Sequence, residues 1–89
     1  MAHSFSVKLG NNTTHSRSYY RIYYAYGSYD TCSCETIEDA RIRKQELADN
    51  QISRGYTPEN YTICLVTYTN IVDEKGLPVM VTTTITRVE

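Results

Sequence analysis

Residues 17–26 read Arg-Ser-Tyr-Tyr-Arg-Ile-Tyr-Tyr-Ala-Tyr. Aromatic and β-branched side chains suit a pleated surface, so this run predicts a strand. A strand sends successive side chains to opposite faces. Tyr20, Ile22, Tyr24 and Tyr26 share one parity; Tyr19, Arg21, Tyr23 and Ala25 share the other. Arg21 marks the second set as the outer one. Six of the nine tyrosines lie between positions 19 and 29, and there is no tryptophan.

The segments on either side fix the fold class. Residues 3–9 alternate, with Phe5, Val7 and Leu9 against Ser4, Ser6 and Lys8, the pattern of a half-buried strand. Gly10-Asn11-Asn12-Thr13-Thr14 supplies turn chemistry, and His15 falls in that turn. Thr36 is placed as a helix N-cap, with Glu38 and Asp39 near the positive helix end. Ile37, Ala40, Leu47, Ala48, Gln51 and Ile52 then fall in one sector of a helical wheel, with Lys44 inside it and Ile42 on the polar side. Asp39 and Arg43 are spaced for an i,i+4 ion pair. Gly55 stands where a left-handed cap is wanted, so the helix runs over about residues 37–54.

Residues 60–72 and 77–88 form a hairpin around Asp73-Glu74-Lys75-Gly76. In its first strand Tyr61, Ile63 and Leu65 oppose Cys64, Val66 and Tyr68. In its second, Val79, Val81 and Ile85 oppose Met80, Thr82, Thr84, Thr86 and Val88. The order β-β-α-β-β predicts an α+β fold: a four-stranded antiparallel sheet with one helix on one face. At 89 residues the chain holds a single domain with one thin core.

Charge excludes one class of function. Nine basic and ten acidic side chains leave a net charge of −1, which argues against a nucleic-acid polymer held by electrostatics. No apolar stretch approaches the ~20 residues of a membrane span. Residues 1–6 lack a basic region followed by an apolar run. With three cysteines, an odd and small number, this points to free thiols in a reducing cytoplasm.

Few residues offer chemistry. Cys32-Ser33-Cys34 is too closely spaced for a zinc knuckle, whose cysteines stand two to four residues apart. The pair reads as two small loop residues, with redox use open only if the helix start acidified the thiols. His3 lies near the terminus and His15 in a turn, so each reads as a surface residue rather than a catalyst. No phosphate-binding glycine loop or paired acidic motif occurs, so we read a non-enzyme without metal or cofactor. The outer tyrosines carry more information. Inner tyrosines belong to a core with the hydroxyl at its rim. On the outer face Tyr19, Arg21, Tyr23 and Tyr68 would stand with Cys64, Val66 and the threonine row of the last strand. Strand propensity explains such a face; so does a partner, because Tyr and Arg anchor interfaces. The expected contact surface is Tyr19, Arg21, Tyr23, Tyr29, Ile42 and Tyr68. It suits a host protein partner, a second copy of the chain, or a small anionic nucleotide stacked on the rings.

Two resemblances follow from particular features. Tyr26-Gly27-Ser28-Tyr29-Asp30-Thr31, followed by Thr36-Ile37-Glu38-Asp39-Ala40, resembles the strand–turn–helix junction of AP2-like and integrase arm-type DNA-binding domains. The inserted Cys32-Ser33-Cys34-Glu35 and the sheet's few basic residues depart from that pattern, so no DNA contacts transfer. In size, element order and lack of catalytic motifs the chain resembles small phage-encoded anti-defence proteins, the anti-CRISPR type among them. That resemblance implies an inhibitor that occludes a host protein in the host cytoplasm by direct contact, or one that sequesters a nucleotide signal.

Overall fold

A computed structural model describes residues 3–89, with the backbone alone at 3–5 and 7–9. The inward alternation expected of Phe5, Val7 and Leu9 therefore lies outside the described residues. The fold is α+β. Its elements are β1 (His3–Leu9), β2 (Asn12–Tyr23), α1 (Ile37–Ser53), β3 (Thr62–Val72) and β4 (Pro78–Arg87). The strands pair antiparallel in the order β1-β2-β3-β4.

The first turn is tighter than the sequence suggests. Leu9 pairs with Asn12, leaving Gly10 and Asn11 alone at the tip. Gly10 has φ 61°, the left-handed conformation that such a two-residue turn requires. Pairing thus begins at Asn12, and His15 is a strand residue whose Nδ1 lies 2.7 Å from Ser6 Oγ.

At its other end β2 stops at Tyr23, earlier than expected. Tyr24 N–H donates to Ser28 O at 2.7 Å, and Gly27, at φ 96°, turns the chain back. Tyr24 keeps its place against the core, whereas Tyr26 stacks on the Tyr24 ring and is exposed. The returning segment runs beside the part of β2 that β1 does not reach. β1 pairing ends at His3 and Ser18, and bridges at Tyr20–Cys34 and Tyr23–Tyr29 take over. Tyr20 and Cys34 exchange two backbone hydrogen bonds of 2.8 Å. This loop satisfies backbone groups that a bare edge would leave to water.

The helix forms as its caps dictate. Thr36 is extended, and its hydroxyl accepts from Asp39 N–H at 3.1 Å. At the far end Gly55 adopts φ 81° and its N–H donates to Ile52 O. Ile22, Ala40, Tyr61 and Ile63 make the core, with Tyr20, Tyr24, Cys34, Ile37, Leu47 and Ala48 packed on it. Ile52 departs from its wheel position and is exposed. Among the described residues the helix packs on β2 and β3, at the Ile22–Ile63 end. Beyond it the same sheet face carries hydroxyls: Ser18 bonds Thr67, and Ser16 bonds Thr69. The molecule measures 56 × 23 × 18 Å, with a radius of gyration of 16.5 Å. A compact chain of this length would have about 12 Å.

The threonine row of β4 corrects a second expectation. Thr82, Thr84 and Thr86 pair with Thr69, Thr67 and Leu65, on the helix side of the sheet. Val81, Thr83 and Ile85 take the opposite side, beside Asn70, Tyr68 and Val66. Parity within a strand does not say which face each set occupies. Register decides that, and here a bulge at Ile71/Val72 adds one residue to the count.

Candidate functional site: a tyrosine–arginine face

Because Ile22 points to the helix, its neighbours Arg21 and Tyr23 point away from it. Tyr19 joins them two residues earlier. Tyr29 reaches the same side through its bridge to Tyr23, with ring centroids 5.5 Å apart. Arg21 sits between two rings. Its guanidinium carbon is 4.1 Å from the Tyr29 centroid and 5.0 Å from that of Tyr19. Its Nη2 donates to the Tyr19 hydroxyl at 2.9 Å. Arg17 approaches the Tyr19 ring at 5.5 Å. Cation–π contacts of this kind contribute about 0.5–2 kcal/mol each, more as water is excluded.

The floor of this face is apolar. Val66 is fully buried although no helix covers it, and it lies between Tyr19 on β2 and Ile85 on β4. Cys64 is buried between Arg21 and Arg87. Burial pushes its thiol above the ordinary range, with Arg87 opposing. Tyr68 stands on the same face between Arg17 and Thr83, and is exposed. Thus Tyr19, Arg21, Tyr23 and Tyr29 form one cluster with Tyr68 on the same surface. Ile42 does not join them: it is exposed on α1, in the layer on the other side of the sheet.

Two members escaped the sequence reading. Arg17 shares odd parity with Tyr19 and Arg21, which was signal enough. Arg87 became visible only once the β3–β4 register was known. Among the described side chains, the strand positions of this face hold Arg17, Arg21 and Arg87 and no carboxylate. A net charge of −1 conceals this segregation. Arg21 also retains a buried Nε with no hydrogen-bond partner. Such an atom costs about 1–3 kcal/mol unless something accepts from it.

The loop that presents Tyr29 is anchored from the opposite layer. Asp30 is buried, and Arg43 of α1 binds both its oxygens, Nε to Oδ2 at 2.9 Å and Nη2 to Oδ1 at 3.0 Å. The i,i+4 pairing expected of Arg43 with Asp39 gives way to this forked contact. A planar guanidinium matches a carboxylate in that geometry, and Asp30 has few other donors in reach. Arg43 holds the Asp30 carboxyl below its ordinary range, against the effect of burial.

Cysteine chemistry finds little support. Cys32 is exposed, Cys34 is half-buried, and none of the three is in a disulfide. Burial raises the Cys34 thiol, with Cys32, Asp39 and Asp30 adding to the effect, the reverse of an activated nucleophile. Among the described residues no group of three His, Cys, Asp or Glu side chains is arranged to hold a metal. None of the described helices is long and apolar enough to cross a membrane. No family model, curated protein or solved structure matches the chain.

Proposed function

We propose that this protein is a small non-enzymatic binding protein whose tyrosine–arginine face covers a surface of a host protein. In this reading it is a phage-type inhibitor of a defence protein, works in the cytoplasm and acts by occlusion. One observation carries the binding reading: Arg21, stacked between Tyr19 and Tyr29, stands beside Arg17, Arg87, Tyr23 and Tyr68 on a face without carboxylates. Rings and guanidiniums that already constrain one another lose little entropy on docking. Their uncompensated positive charge suits an acidic patch on the partner.

The test is capture from host lysate by the immobilised protein. The wild type and a Lys44→Glu variant on the helix should retain the same partner. Arg21→Glu should lose it. Retention by Arg21→Glu at wild-type level places the contact elsewhere.

A second reading rests on the Arg21 guanidinium held between two rings, with Arg17 and Arg87 on the same face. The same cluster would take a small anionic nucleotide, with its base stacked on a tyrosine and its phosphate on the arginines. A thermal-shift screen with mono- and cyclic nucleotides separates the two. A rise lost in Arg21→Glu supports sequestration, whereas a flat screen leaves occlusion.

A further inference from the structure

We propose that the free edge of β4 pairs with the β4 of a second copy, joining two sheets into one of eight strands. Every described position of β4 is exposed, including Val79, Met80, Val81 and Ile85. An edge strand this long is normally blunted by charge, by an interior proline, or by a covering loop. Between Val79 and Thr86 there is no charged residue, and Pro78 stands only at the first position. The loop at 29–34 guards the β2 edge, on the other side of the sheet.

The backbone shows which groups are free. Val88 N–H donates to Ile63 O, and Ile63 N–H donates to Glu89 O, so Ile63 directs its backbone groups towards β4. In an antiparallel pair this alternates. Residues 80, 82, 84 and 86 therefore bond to β3, and Val81, Thr83 and Ile85 turn their N–H and C=O groups outwards. A two-fold axis at Thr83 satisfies all of these at once. It sets Val81 against Ile85 of the other copy, and Thr82 against Thr84. β-Branched pairs directly opposite one another are favourable in sheets. Arg87 falls opposite Val79, so the two positive charges lie at opposite ends.

The accessible surface exceeds that of a compact chain of this mass, as the 56 Å length requires. It is 6121 Å². A folded monomer of 10.2 kDa exposes about 5,300 Å² by the usual scaling, so about 800 Å² is in excess. Antiparallel pairing about an axis normal to the sheet also keeps like faces together. The two tyrosine–arginine faces would then look the same way and could engage a partner at two points.

Light scattering on a sizing column tests this, with far-UV circular dichroism as the check on folding. The wild type should elute at twice the 10.2 kDa chain mass. Thr83→Pro removes an outward N–H without touching the β3 ladder, and Ile85→Lys places a charge in the interface. Each should elute at the chain mass with an unchanged spectrum; if Thr83→Pro does not fold, Ile85→Lys decides alone. A wild type at the chain mass overturns the proposal, as does a dimer that survives in the folded variants. Arg21→Glu should remain dimeric, so loss of partner capture and loss of pairing are separate results.

Discussion

Arg43 on α1 grips Asp30 through both carboxylate oxygens, at 2.9 and 3.0 Å, and thereby ties the helix to the loop that presents Tyr29 on the opposite sheet face. Asp30 N–H also donates to Ile22 O at 2.9 Å, and Asp30 Oδ2 accepts from Cys32 N–H at 3.4 Å. One buried carboxylate therefore connects the core, the loop and the candidate site.

Asp30→Asn should cost about 2 kcal/mol at neutral pH, the scale of hydrogen bonds to a charged group, and lower Tm by about 10 °C. The pH dependence has a definite sign. The folded-state pKa of Asp30 lies below its unfolded value, so its contribution is full above the ordinary carboxylate range of about 4. It disappears as pH falls from there through the depressed folded value. Urea melts between pH 7 and pH 2 should show this loss in the wild type and a flatter profile in Asp30→Asn. Equal acid sensitivity in both would remove Asp30 from the account.

The three thiols should separate by exposure. At pH 7.5 an aromatic disulfide reagent should modify Cys32 fast, and Cys34 and Cys64 only slowly or after unfolding. Burial raises both of the latter thiols. Cys32→Ser combined with Cys34→Ser should leave partner capture intact. Loss of capture in that variant, with the fold retained, would give the pair a role in binding.

Arg21→Glu gives up two cation–π contacts and the hydrogen bond to Tyr19, so a fall of about 1–3 kcal/mol is expected even though the new carboxylate stands near Arg17 and Arg87. Tyr23→Ala gives up the ring contact with Tyr29, and a fall of about 1 kcal/mol is expected. Against a captured partner, each should weaken binding by about 30-fold, on the order of 2 kcal/mol for an interface anchor. Calorimetric titration beside a thermal melt separates the two effects.

Much of this was legible in the chain. The helix followed from Thr36 and Gly55, because capping is local chemistry. The division of Tyr19, Arg21 and Tyr23 from Tyr20 and Ile22 followed from a period of two. What escaped was non-local. Arg43 has Asp39 and Glu46 within a turn of it on the helix, and only the return of the loop brings Asp30 within reach. The side taken by Ile85 and Arg87 depends on a bulge that strand patterning does not encode. Arg17 and Arg87 therefore emerged as companions of Arg21 only when the register placed them.

If the tyrosine–arginine face makes the functional contact, a crosslinker placed on it reaches the partner and one on the helix does not. Photo-crosslinking in host lysate tests this most directly, with a benzophenone amino acid at position 23 in one sample and at position 52 on the helix in another. The account predicts a discrete covalent adduct from position 23 and none from position 52. Adducts from position 52 alone would contradict it.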